Sequence, residues 1–341
     1  MWLLHVVPYI VAADTLSFSL SNWPLKTFLF GLGIVLINIG PRIKDNFVTS
    51  SLYILGTTWL GTLFLLFSAT LIFLLFKIVG LGTVEVYFGV HLVAALASVY
   101  ALLNAWRLTV KEYTIPLSGL SKEVRLVHLS DVHIGTVHRA RFLKRVVKIT
   151  NAQNPDLVLM TGDLFDGSAP IHEEMLRSLD DITVPTYFST GNHEEYEGLQ
   201  HVRETIADLK MQLLDSQVAT FGELQIIGVN DRQSISKDQS LKTILPTIAY
   251  DTEKPTILMY HTPVEWEEAR AAGIDVMLSG HTHNGQVFPF TLLVHLSFKY
   301  VCGLYEEGKQ YLHVTPGTGT WGPPMRLGSN NQVTVIRLTP Q

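Results

Sequence analysis

The sequence predicts an α/β layered catalytic region preceded by transmembrane helices, and three observations predict it. Charge is spread unevenly: residues 1–110 hold five Lys/Arg and three Asp/Glu, about 7% charged, against about 20% for residues 111–341, an ordinary soluble value. After residue 122, short apolar β-rich runs alternate with helix-like stretches, the pattern of a layered α/β domain. Five of those runs end in polar clusters rich in Asp, Asn and His. In open α/β sheets, ligands bind beyond the carboxyl ends of the strands.

Residues 1–110 read as a transmembrane helical region. Asn46 to Phe76 is free of charge, as is Val86–Trp106. About 20 residues cross a ~30 Å hydrocarbon core. Spans are expected at about 27–41, 50–76 and 86–107, the first of them short, and Met1–Ala13 is apolar enough to end a further helix. Arg42 and Lys44 follow the first span, and Arg107, Lys111, Lys122 and Arg125 follow the last. By the positive-inside rule this puts the C-terminal part in the cytoplasm. Residues 111–121, with Pro116 and Gly119, read as a linker, and residues 122–341 as the catalytic domain.

Within that domain, strands are expected at 124–129, 157–160, 186–189, 224–229, 257–260 and 276–278. Helices are expected at 139–152, 171–181, 198–210 and 263–272. Strands with Gly/Pro turns fill 300–338. The net charge of −5 excludes a generally basic nucleic-acid coat. The single cysteine, Cys302, excludes a disulfide framework and a cysteine-based zinc cluster.

The five clusters are Ser130-Asp131-Val132-His133, Gly162-Asp163-Leu164-Phe165-Asp166, Gly191-Asn192-His193-Glu194, Tyr260-His261-Thr262-Pro263 and Gly280-His281-Thr282-His283-Asn284-Gly285-Gln286. Imidazole suits Zn and Fe, and carboxylate and amide oxygens suit harder ions such as Mn. A mixed O/N set fits a hydrolytic two-metal centre, in which a carboxylate bridges ions ~3.5–4 Å apart. Singly, each cluster also reads as a turn, a helix cap or a satisfied histidine. Together, in this order and each after an apolar strand, they point to one site.

The ordered set DxH, GDxxD, GNHE, H and GHTHxGQ resembles the calcineurin-like metallophosphoesterase superfamily over roughly residues 122–338, and within it the membrane-attached bacterial YkuE/YaeI-like branch. The resemblance implies a four-layer αββα sandwich with a dinuclear centre of Mn, Fe or Zn. It assigns Asp131, His133, Asp163 and His283 to one metal. Asp163 bridges to a second, completed by Asn192, His261 and His281. Asn284 departs from the glycine more usual in this branch. His193 is implied to face the leaving group or the transferred phosphoryl, where a protonated imidazole serves as general acid or electrostatic stabiliser. Glu194 is expected to orient it or raise its pKa. Asp166 braces the loop or touches substrate. Arg232 is a weaker phosphate-contact candidate.

The expected reaction is phosphoester hydrolysis by in-line attack of an activated water. Membrane attachment and the apolar run Val287–Phe298 lean toward a lipid-linked substrate, for a phosphodiesterase or pyrophosphatase. That run reads more readily as a buried strand or helix beneath the site. Competing readings are a phosphatase for a soluble phosphoester and a non-catalytic membrane sensor or adaptor. No nucleic-acid partner is expected, and the sequence leaves the oligomeric state open.

Overall fold

The computed structural model describes residues 2–17, 23–231 and 240–341. It begins with four apolar helices, α1 (Trp2–Leu16), α2 (Trp23–Ile43), α3 (Phe47–Ile78) and α4 (Val84–Ala105). The last three are long and apolar enough to cross a membrane. The 21 residues of α2 span ~31 Å, so this helix is longer than the short span expected from the sequence. The 32 residues of α3 reach ~48 Å, well beyond a ~30 Å core. Its first turns rest instead on the catalytic domain. Asn46 caps α3 by accepting hydrogen bonds from the Val48 and Thr49 amides at 2.9 and 3.1 Å, a cap that stabilises by about 1 kcal/mol. Arg139, at the edge of the catalytic domain, pairs with Asp45 at 2.6 Å, which fixes the α2–α3 loop. At the opposite end of the bundle Lys77 pairs with Asp14 at 2.6 Å.

The chain continues through β1 (Leu108–Leu117), β2 (Val124–Leu129), α5 (Ala140–Asn151), β3 (Leu157–Thr161), α6 (Glu173–Leu176), β4 (Thr186–Ser189), α7 (Asn192–Glu197), α8 (Leu199–Ile206), β5 (Gln212–Leu213), β6 (Gln217–Phe221) and β7 (Leu224–Gly228). It ends with α9 (Leu241–Ile244), β8 (Thr256–Met259), α10 (Trp266–Ala271), β9 (Val276–Ser279), α11 (Phe290–Leu293), β10 (Gly303–Glu307), β11 (Gln310–Val314) and β12 (Asn331–Pro340). The strands form two six-stranded sheets, ordered β1-β12-β2-β3-β4-β5 and β10-β11-β9-β8-β7-β6.

Apolar strand faces decide the layering. Leu126, Leu157 and Leu159 of the first sheet meet Ile226, Ile257 and Leu278 of the second in a core between the sheets. Each such fully buried side chain contributes about 1.5–3 kcal/mol. The opposite face of the first sheet packs on α5 through Leu143, Val146 and Val147. That of the second packs on α9 and α10 through Leu241 and Trp266. The result is the expected αββα sandwich. A fourth cluster joins Leu65 and Ala69 of α3 and Ala94 and Ala101 of α4 to Val287 and Met325 of the domain.

Two expectations need correction. Residues 111–121 do not form an irregular linker: β1 runs from Leu108 and pairs in parallel with β12 throughout, Leu108 opposite Asn331 to Leu117 opposite Pro340. Its outward residues are charged because it is an edge strand, and Pro116 is tolerated there for the same reason. Val287–Phe298 is not a buried strand or helix either. It forms α11 and a following 3-10 turn. Val287 and Val294 point inward, while Leu292 and Leu296 are 61% and 84% exposed.

Candidate metal centre

All five clusters lie where strands end. β2 delivers Asp131 and His133, β3 Asp163, β4 Asn192 at the start of α7, β8 His261, and β9 His281 and His283. The parallel register of β2-β3-β4 and of β7-β8-β9 brings these ends to one edge of the sandwich. The leading glycines have a steric reason. A Cβ on Gly191 or Gly280 would collide with the carboxylate of Asp163 or Asp131, respectively.

The seven expected ligands converge. His133 Nε2 lies 3.0 Å from His283 Nε2, and His283 Nε2 lies 3.3 Å from Asp131 Oδ1. His261 Nε2 is 3.0 Å from Asp163 Oδ2 and 3.9 Å from Asp131 Oδ1. His281 Nδ1 is 2.9 Å from Asn192 Oδ1. Donor atoms of Asp131, His133 and His283 form one cluster, and those of Asp163, His261 and His281 another. His261 donates through Nδ1 to the Thr161 carbonyl at 2.8 Å, which turns Nε2 inward. There Nε2 is buried without a hydrogen-bond partner. An orphaned imidazole nitrogen facing carboxylates, beside two imidazole nitrogens 3.0 Å apart, fits a pair of divalent cations.

Surrounding groups fix the ligands. Asp131, His133, Asp163, His281 and His283 all have positive φ, a sparsely populated region for residues with a side chain and one that clusters at functional sites. Asn284, at φ 49°, is in the same region, which asparagine tolerates better than most residues. Asp166 Oδ1 lies 3.5 Å from His133 Nδ1, and the Asp166 carbonyl accepts from His193 Nδ1 at 2.8 Å. Asp166 thus braces two histidines.

Glu194 departs from expectation. Its fully buried carboxylate accepts from the backbone amides of Gly191, Asp163 and Phe165 at 2.6–3.0 Å and makes no hydrogen bond to His193. It ties two ligand loops together and is a positioning residue. Arg326 lies in no sequence motif that signals a site. Fully buried, it donates to the carbonyls of His283 and Pro316, both at 2.8 Å, and of Gly319. The loop around it is bonded to α4. The Arg326 amide donates to Ala101, Asn104 Nδ2 to the Arg326 and Ser329 carbonyls at 3.1 Å, and Asn331 Nδ2 to Ala105. Arg232 lies outside the described residues.

Burial opposes charge throughout the site, and the carboxylates overcome it at two histidines. His261 is driven well above its ordinary pKa by Asp163 and Asp131, and His133 is raised by Asp166, Asp163 and Asp131. His283 is held well below its ordinary value by burial and by His133. Asp163 is held well below the carboxylate range by His261, His193 and His133, despite burial. Burial and the Asp163 charge push Glu194 up to about 7. The pKa of His193 is lowered by burial and by His133.

A cavity of about 770 Å³ opens onto Asp163, Asn192, His193, His281 and His283. Its far walls come from the membrane helices, through Leu4, Arg42, Tyr53, Leu60, Gly61 and Phe64. Val287, Phe290 and Val294 complete it.

The family model for calcineurin-like phosphoesterase matches residues 124–285. An uncharacterized metallophosphoesterase of Aquifex aeolicus is 31% identical over 259 residues, covering 72% of this chain and 97% of that protein. One from Helicobacter pylori J99 is 34% identical over 243 residues, covering 68% of this chain and 64% of its own length. A Danio rerio protein named for a transmembrane region with a metallophosphoesterase domain is 33% identical over 268 residues, covering 72% and 61%. The chain thus spans less than two thirds of the length of the last two.

Proposed function

Because the chain belongs to the calcineurin-like metallophosphoesterase family, making it a metal-dependent phosphoester hydrolase, we propose that it works at a membrane on a lipid-linked phosphoester, as a phosphodiesterase or pyrophosphatase. The single observation that carries the lipid reading is the cavity, which runs from the ligand cluster to the apolar face of α3. The exposed apolar side chains of Phe288, Phe290, Leu292 and Leu296 beside it add to this reading, since such patches mark interaction surfaces.

In this reading Asp131, His133, Asp163 and His283 hold one divalent ion. Asp163, Asn192, His261 and His281 hold the other, with Mn, Fe and Zn all compatible. The ions supply Lewis-acid polarisation of the phosphoryl oxygens and an activated water. The protein's residues do the rest. His193 is aimed by the Asp166 carbonyl through Nδ1. Its Nε2 is left for the cavity, where in the protonated state it gives its proton to the leaving oxygen and returns to the neutral imidazole. His193→Ala is expected to keep its metal while losing about 10²–10⁴-fold in turnover of a poorly activated ester. Metal content and single-turnover rates on the same preparation check this.

The basic residues Arg42, Lys44, Arg107 and Lys111 lie on the side of the helices that meets the catalytic domain, so by the positive-inside rule that domain is cytoplasmic. The substrate test uses the full chain in detergent with Mn²⁺ and total membrane lipid extract, and wild type is compared with Asp163→Ala by mass spectrometry. A phosphorylated product released only by wild type supports a lipid-linked ester. Turnover of bis-p-nitrophenyl phosphate with no change in any lipid favours a soluble substrate. No turnover of any phosphoester by metal-loaded protein favours an adaptor.

A further inference from the structure

We propose that α3 is a substrate-binding element rather than only an anchor: with α11 and its flanks it forms a groove for one hydrocarbon tail of a phosphorylated lipid drawn sideways from the bilayer. This rests on the reading above and assigns the part of the molecule that recognises the lipid. The cavity that starts at Asn192 and His281 ends between Leu60, Gly61 and Phe64 on one side and Phe290 and Val294 on the other. The α3 wall is fixed. A Cβ on Gly61 would press on Met325 Sδ, 2.5 Å away, and on Pro323 Cβ, 3.1 Å away, so the helix touches the domain there with no gap. Leu65 and Ala69, one and two turns further on, share an apolar cluster with Val287 and Met325.

The occupant follows from the two ends of the cavity. At the inner end, the ligand cluster is chemistry for a phosphoryl group. Near it stand Tyr53, beside Ser168 and Asp166, and Arg42, for which no carboxylate lies within ion-pairing distance among the described residues. At the other end the walls are hydrocarbon, and Leu292 and Leu296 continue the apolar surface outward. An anionic head joined to an apolar tail satisfies both ends at once. A soluble phosphoester leaves the α3 wall unused, and an unphosphorylated peptide brings no phosphoryl group to the ligand cluster.

The first test needs no catalysis. The full chain in phosphatidylcholine nanodiscs is irradiated with dodecyl phosphate carrying a diazirine at the tail end, and labelled peptides are identified. The expected result is labelling confined to residues 52–66 and 286–298. Unlabelled dodecyl phosphate should suppress it, and equimolar dodecanol should not. Labelling spread over the outward faces of α2 to α4, or labelling that dodecanol suppresses equally, overturns the groove.

The second test reads alkyl phosphates from butyl to octyl as inhibitors of bis-p-nitrophenyl phosphate hydrolysis. Burial in the groove lowers the inhibition constant about fourfold per methylene. In Phe64→Ala, and more gently in Phe64→Leu, the octyl-to-butyl ratio should shrink, at least tenfold in the alanine variant. A ratio unchanged in both variants overturns the assignment. If bis-p-nitrophenyl phosphate is not hydrolysed at all, the phosphodiesterase reading fails, while the labelling pattern still decides the groove.

Discussion

Glu194 shows at the scale of a residue what the sequence could and could not reveal. Its place in Gly191-Asn192-His193-Glu194 marked it as part of the site, but its role depends on amides about 30 residues upstream. Glu194→Ala leaves three buried N–H groups without an acceptor. Each costs about 1–3 kcal/mol, so thermal unfolding in detergent should show a loss of several kcal/mol together with loss of bound metal. The ligands themselves were legible because each lies in a short motif at a strand end. Arg326 was not, because nothing within a few residues of it marks the carbonyls it binds. The histidine charges give a pH prediction. The pKa values of His261 and His133 are raised in the folded chain, so in metal-free protein both hold protons more tightly than a free imidazole, and incoming cations compete with those protons. Metal binding should release protons and weaken as pH falls. Calorimetry in buffers of different ionisation enthalpy measures both effects, and pH-independent affinity would contradict the assignment.

At the scale of elements, α4 and the loop before β12 form a joint. Asn104 and Arg326 are separated by 222 residues in sequence and joined by hydrogen bonds, a pairing that no local pattern could disclose. Through Arg326 the joint reaches the carbonyl of His283. Asn104→Ala should cost about 1–3 kcal/mol and lower metal occupancy at the His283 site. Titration with Mn²⁺ separates this from a loss of stability alone, because a purely structural helix contact would leave affinity unchanged. The same limit hid two other elements. β1 reads as a linker because its outward face is charged and it contains Pro116. The run Val287–Phe298 has one composition whether it is a buried strand or a surface wedge, and periodicity cannot arbitrate for so short a segment.

At the scale of the molecule, the boundary suggested by composition is not a boundary of folding. Charge falls into two blocks near residue 110, yet β1 completes the first sheet, and Val287 and Met325 are buried against α3 and α4. A fragment beginning at residue 122 therefore exposes the edge of β12 and an apolar face. It should melt well below the full chain and aggregate without detergent, which light scattering during a thermal ramp reports. The parallel pairing of β1 with β12 also orders events at birth. β1 is made directly after the last membrane helix, but its partner is made more than two hundred residues later. At about 5–20 residues per second, β1 waits tens of seconds at the bilayer surface with one ladder of hydrogen bonds unmade. Arg326, which backs His283, emerges only near the end of that interval. The four apolar helices are thus made long before the residues that close the first sheet and back His283.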